Sequence, residues 1–336
     1  MIQGVSKCPC GWVCVRYCRS SHLTLPALGD IMGSERSDGG IAMLEKLKAE
    51  ILFRRLLRRP DIDRAYAMVE PTDSWYDTIT KVHNALAQIK TRPHEVLELV
   101  AHDGVLLKGI YYPGEGGSNV TVVCIHGYTS HPEREWAFPG LFYLSLGYNV
   151  LIPYQRAHGM SGGKYIALGA LEHRDMMGWI QKVNERIPHG SVIIHGLSMG
   201  GGIALDLASK ELENVKAIIS DAPSVSIRGM FGDVAAHAFK QEGPKVAACA
   251  VARFEKEFGV DTAQFDRLET IAGGRYPLLL SAGSKEERGE MFEAIKSKNP
   301  QRTQIVILPG CDHGNGMYKQ TELYQTAIKA FIGSVI

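Results

Sequence analysis

The stretch "SVIIHGLSMGGGIALDLASK", residues 191 to 210, limits the possible folds more than any other part of the chain. A β-rich apolar run enters the segment Gly196-Leu197-Ser198-Met199-Gly200 directly, and an amphipathic helix leaves it directly. A strand that becomes a helix within so few residues needs a tight turn, with glycines where side chains would collide. Strand-like runs recur from residue 95 onward, at Val120 to Ile125, Tyr148 to Pro153, Val215 to Ser220, Pro277 to Ala282 and Gln304 to Leu308. Helical runs separate them at Ala170 to Arg186, Met199 to Lys210, Glu290 to Lys298 and Lys319 to Ile332. That alternation predicts an α/β fold, a mostly parallel sheet with helices on both faces. "EVLELVAHDGVLLKGIYY" predicts a hairpin around Asp103-Gly104 ahead of it.

A serine in such a turn is a candidate nucleophile, because the turn lifts its hydroxyl out and the following helix presents unpaired amides beside it. The pattern Gly-x-Ser-x-Gly occurs twice, and context separates the two matches. Gly159-Met160-Ser161-Gly162-Gly163 lies beyond its strand and runs on into more loop, so it reads as a glycine-rich turn. Ser198 has the strand and the helix, which makes it the candidate. The Met199 amide then faces a developing oxyanion. A second donor is expected from the Tyr128 amide, where the strand in "VTVVCIHGYTSHPEREW" ends at His126-Gly127.

Twelve histidines compete for the role of base. Sites built on such an elbow run serine, acid, histidine along the chain, which leaves His237 and His313 downstream of Ser198. His237 sits in the helical stretch "FGDVAAHAFK", where a surface histidine is the simpler reading. His313 follows a strand and a Pro-Gly turn in "TQIVILPGCDHGNG", so its ring can swing over the strand ends. Its neighbour Asp312 is too close in sequence to orient that ring, and turn chemistry suits it better.

The motifs "CIHGYTS", "YNVLIPYQRAHGMSGG", "HGLSMGGG", "SDAPS" and "LPGCDHG", in this order, resemble the α/β-hydrolase superfamily. They are most similar to bacterial serine hydrolases grouped with S33-like aminopeptidases and monoacylglycerol-lipase-like esterases. The resemblance covers about residues 95 to 335. It implies a Ser-acid-His triad, oxyanion amides at Tyr128 and Met199, no metal and no organic cofactor. It also implies that Arg156, His158 and Gly159 form a structural loop near the site. Relatives often carry an aspartate where this chain has Tyr154 and Gln155. After their seventh strand they commonly read Gly-x-x-Asp followed by a Val-Pro turn; here Gly283-Ser284-Lys285-Glu286 has glutamate in the aspartate place, without the Val-Pro turn, in a shorter loop.

Counting from Gly283 favours Glu286 as the acid, a slip of one residue gives Glu287, and Asp221 at the preceding strand end is an alternative. Glu290 reads as a first-turn helix residue. The activity expected is cleavage of a small-molecule acyl ester through an acyl-enzyme, with thioesters and peptide N-termini in the same range of chemistry. The rival expectation is a non-catalytic protein of this fold that binds a ligand or partner.

The remaining features set the boundaries. A net charge of +1 gives no field for a phosphate backbone, so nucleic acid is not an expected partner. Seven cysteines are too few for a disulfide scaffold, and with no long apolar run a soluble, cytoplasmic protein is expected. Cys8, Cys10, Cys14 and Cys18 lack the spacing of a zinc site, and residues 1 to 40 are expected to be a disordered N-terminus. Residues 41 to 92 read as a helical extension and 93 to 336 as the α/β-hydrolase domain, with a small helical lid at about 223 to 275. In "IAMLEKLKAEILFRRLLRRP", Leu44, Leu47, Ile51 and Leu52 form an apolar stripe among basic residues, ended by Pro60. Packing on its own domain is the expectation there, and contact of 41 to 59 with a membrane surface is the alternative.

Overall fold

The computed structural model describes residues 38–64, 70–271 and 274–336. The expectations for the cysteine-rich start therefore fall outside the described residues. In chain order the main elements are α1 (Asp38–Leu57), α2 (Tyr76–Ile89), β1 (Glu95–Val100), β2 (Leu106–Tyr112), β3 (Val120–Ile125) and α3 (Pro132–Ser145). They continue with β4 (Asn149–Pro153), α4 (Glu172–Arg186), β5 (Ser191–Leu197), α5 (Met199–Leu207), β6 (Val215–Asp221), α6 (Ile227–Phe239) and α7 (Gly243–Phe258). Last come α8 (Arg267–Thr270), β7 (Leu278–Gly283), α9 (Gly289–Lys298), β8 (Thr303–Leu308), α10 (Gly316–Lys319) and α11 (Thr321–Gly333).

The strands form one eight-stranded sheet in the order β1-β2-β4-β3-β5-β6-β7-β8. β1 pairs antiparallel with β2, and β2 antiparallel with β4, while the ladders from β4 to β8 are parallel. Every residue of β3, β4 and β7 is buried, as parallel strands covered on both faces require. Their side chains pack with Trp136, Ile89, Tyr143, Ile328 and Phe331 into one core. The chain order reverses around β3, so β3 and β5 leave the sheet side by side. Crevices at such switch points, beyond the carboxyl ends of the strands, are where open α/β sheets build sites.

Among the described residues, 57–225 and 264–336 form the unit that holds this sheet, and 38–56 with 226–263 form a second compact unit. The stretch 41 to 92 is thus divided between the two. Within the second unit, α1 buries Ala49, Leu52 and Phe53, while Leu47 is exposed. Of the stripe read off the sequence, Leu52 is buried and Leu44 and Ile51 are half-buried, while Leu47 lies off the apolar face. Phe53 lies on that face, meeting the Phe258 ring at 6.4 Å with the Arg253 guanidinium over its own ring. Ion pairs of Lys48 with Glu242 and of Glu50 with Arg253 take up part of the basic and acidic rim.

Helix ends differ from the sequence reading by a few residues. α1 stops at Leu57 rather than running to Pro60, because Arg58 bridges Tyr165 as a short strand pair. α4 begins at Glu172, whose carboxylate binds the amides of Ala167 and Gly169. The final helix is broken at Gln320 into α10 and α11. No helix among the described residues is long and apolar enough to cross a membrane.

Candidate active site

Ser198 occupies the turn between β5 and α5 with φ 59° and ψ −113°, a conformation that a residue with a Cβ rarely adopts. Such a residue costs of order 1–3 kcal/mol and persists only where its surroundings over-determine it. Here the backbone does so: Ser198 donates its amide to the Asp221 carbonyl at 2.8 Å and accepts from Gly202 and Ser224 at 3.0 Å each. The flanking glycines are obligatory. A Cβ on Gly196 would lie 2.0 Å from the Gly200 carbonyl oxygen, and one on Gly200 would lie 2.0 Å from that of Ile125.

The loop after β8 brings His313 to this turn, with Nε2 3.0 Å from the Ser198 Oγ. Its Nδ1 lies 2.6 Å from Oε2 of Glu286. An ionised carboxylate can only accept, so the network assigns the proton to Nδ1 and leaves the Nε2 lone pair facing the serine hydroxyl. Glu286 sits in a short 3-10 turn, Ser284–Glu286, directly after β7. The Gly283 amide donates to its Oε1 at 3.0 Å, and Arg288 Nε donates to its Oε2 at 2.8 Å. Burial pushes this carboxyl upward. The His313 hydrogen bond and charge, the Arg288 charge and the Gly283 amide outweigh it and hold the group below the usual carboxylate range.

The short loop after β7 closes without a Val-Pro turn because it is stitched to the histidine loop. A Cβ on Gly283 would lie 2.3 Å from the Cys311 carbonyl oxygen, Lys285 donates its amide to that same carbonyl at 3.1 Å, and Gly310 donates to the Ser284 hydroxyl at 2.9 Å. Glu287 turns the chain in the left-handed region, φ 55°, and is exposed; Glu290 lies exposed in the first turn of α9.

Asp221 goes elsewhere. Its carboxylate accepts from the hydroxyls of Ser281 and Tyr324 and lies 3.2 Å from His195 Nε2. His195 Nδ1 meets the Tyr143 hydroxyl at 2.7 Å, and the Trp136 ring packs edge-on against the imidazole. This second histidine–carboxylate pair is sealed in the core beneath the turn and had no sequence signal beyond "SD" at a strand end.

On the other side of Ser198 lies the loop after β3. A Cβ on Gly127 would be 3.4 Å from that of Ser198, and the Gly127 amide donates to the buried Glu135 carboxylate at 2.8 Å. Half-buried Tyr128 follows Gly127 in that loop, and Met199, the first residue of α5, directly follows the serine in the chain. The loop after β4 is structural in its bonding. Arg156 binds Asp175 and Asp103, each at 2.7 Å, and Tyr154 donates its hydroxyl to Glu133 at 2.6 Å. Gln155 donates from its side chain to the His126 carbonyl at 2.6 Å. Burial pushes His158 down to about 4, so it sits neutral there. Ser161 is fully engaged, donating to the Tyr154 carbonyl at 2.5 Å and accepting from the Lys108 amide at 2.9 Å. His237 is exposed on α6, and Asp312 holds its own turn through Asn315, whose side chain accepts its amide at 2.8 Å.

A mostly parallel sheet led by antiparallel strands, with a glycine-flanked serine at the β5–α5 turn, defines the α/β-hydrolase fold. The serine aminopeptidase S33 family model matches residues 117–262. A 122-residue stretch, 36% of this chain, is 34% identical to the uncharacterized protein YqkD of Bacillus subtilis, and it spans only 39% of that relative's length. Among solved structures, an esterase of Pyrococcus furiosus is 25% identical, with a TM-score of 0.56 over 74% of this chain and 95% of that one. An α/β hydrolase of Vibrio vulnificus is 20% identical, with a TM-score of 0.57 over 89% and 95%. The chain is a member of the α/β-hydrolase superfamily.

Proposed function

We propose that the protein is a serine hydrolase that cleaves carboxylic esters through an acyl-enzyme. The observation that carries this reading is the unbroken relay from Ser198 Oγ through His313 to Glu286, built on a strained turn. Ser198 attacks the acyl carbon while His313 Nε2 takes its proton, and the negative charge on Glu286 stabilises the imidazolium so formed. The carbonyl oxygen, now an oxyanion, is bound by the Met199 and Tyr128 amides. His313 returns the proton to the leaving alcohol. Water then attacks the acyl-serine with His313 again as base, and the acid departs with Ser198 restored.

The Pyrococcus furiosus neighbour named as an esterase supports esters over peptide N-termini, while the S33 match keeps aminoacyl substrates within reach of the same machinery. Cys124, Cys249 and Cys311 are free thiols, which supports a reducing, cytoplasmic setting. A panel of p-nitrophenyl esters of increasing acyl length, run beside aminoacyl anilides, tests the reading. Ester turnover that disappears in Ser198→Ala is the expected result. No turnover on any member would favour a ligand-binding protein on a hydrolase scaffold.

A further inference from the structure

Arg288 is absent from the relay just described, yet it touches its acid. Its Nε donates at 2.8 Å to Glu286 Oε2, the same oxygen that receives His313 Nδ1. Its second branch donates at 2.8 Å to the Pro223 carbonyl, two residues past the end of the neighbouring strand β6. Both side chains are largely withdrawn from water, with 13% of Arg288 and 3% of Glu286 exposed, so screening is weak and the geometry is fixed. We propose that Arg288 is a positioning residue: anchored on Pro223, it holds the Glu286 carboxylate at His313 and shares its negative charge.

A loop shortened by the loss of its turn needs such an anchor, because a glutamate has one more rotatable bond than an aspartate. The arginine replaces covalent stiffness with two charge-assisted or carbonyl hydrogen bonds in a rigid fork. Its charge also has a direction of effect. A cation beside the carboxylate opposes positive charge on the neighbouring imidazole. The other charged groups around the carboxylate do not substitute for it. Lys285 on the same loop and Asp312 on the loop after β8 face each other at 3.4 Å, and Lys319 from α10 also turns to Asp312 at 3.6 Å. Burial pushes the Cys311 thiol up, which keeps it neutral, and Glu287 is exposed.

This inference rests on the proposed hydrolase reading, and the test separates the two. The pH dependence of kcat/KM on p-nitrophenyl butyrate is measured for the parent, Ser198→Ala, Arg288→Gln, Arg288→Lys and Arg288→Gly. Thermal melts confirm that each variant folds. In Arg288→Gln, kcat should fall about tenfold at nearly constant KM, by analogy with the loss seen when the hydrogen-bond partner of a metal-bound histidine is removed. The acidic limb should move up by about one pH unit, as removal of a close charge requires. Arg288→Lys, which keeps the charge and loses the fork, should hold the parent limb while kcat drops. Millimolar guanidinium should restore part of the activity of Arg288→Gly. An unmoved limb in Arg288→Gln with no guanidinium rescue of Arg288→Gly overturns the assignment, leaving the arginine a loop brace. Turnover that survives in Ser198→Ala overturns the hydrolase reading itself, and the role of Arg288 with it.

Discussion

Two histidine–carboxylate pairs stand at the ends of neighbouring strands, and they have opposite surroundings. Asp221, at the end of β6, and His195, inside β5, are closed in by Ser281, Tyr324, Tyr143 and Trp136, with no nucleophile in the circuit. Glu286, just past β7, and His313 open on Ser198 and are steered by Arg288 and the Gly283 amide. In the proposed mechanism the same chemical pair serves as internal scaffold in one place and as a proton relay in the other. What separates them is the third partner: hydroxyls that close the first pair, and a strained serine hydroxyl beside the second. The two are also mechanically linked, since the Asp221 carbonyl holds the Ser198 amide.

The largest expected effect breaks the relay and spares the scaffold. Glu286→Gln should lower kcat by ~10⁴, the scale seen when an orienting carboxylate becomes an amide in a serine protease. Its melting temperature at neutral pH should fall modestly, because the buried carboxylate's pairing with Arg288 is lost, while the fold persists. If Glu286→Gln turns over normally and Asp221→Asn does not, the roles of the two carboxylates must be exchanged. Asp221→Asn should instead cost about 1–3 kcal/mol of stability, because a buried acceptor is replaced by a group that also carries donors. Its kcat should remain within tenfold of the parent, read beside a urea denaturation curve. Smaller still, Tyr324→Phe removes one hydroxyl from the sealed pair and should cost about 1 kcal/mol, with unchanged kinetics.

The pairs also differ in their response to acid. The Glu286 carboxyl is held below its ordinary value of 4.5 in the folded protein. The unfolded chain therefore takes up the proton first as pH falls. The stability contributed by this group is present above pH 4.5 and is lost as pH drops through the lower folded value. Denaturant midpoints measured from pH 6 downward should fall more steeply for the parent than for Glu286→Gln.

Much of this arrangement was legible in the sequence. The "HGLSMGGG" turn announced itself because its physical demand, strand into helix with no room for side chains, has few solutions in residue types. His313 could be read from chain order and from the Pro-Gly turn before it. The stretch "SAGSKEERGE" pointed to Glu286, the carboxylate found beside His313, only by counting, since the closure of its loop depends on a backbone contact with Cys311, far away in sequence. Arg288 gave no signal that set it apart from any other charge in that run. The Asp221–His195 pair was hidden for the same reason, because its hydroxyl partners come from β7 and α11. On α1, the stripe with Leu47 missed the buried Phe53, whose ring partner Phe258 lies on α7.

The central claim is that Ser198, and not another serine, carries the acyl group. Incubation with a fluorophosphonate followed by peptide mass spectrometry tests it most directly. A single adduct on the peptide containing Ser198, absent in Ser198→Ala and greatly slowed in Glu286→Gln, is the predicted result. An intact protein that takes no label, or label that persists in Ser198→Ala, would contradict the account.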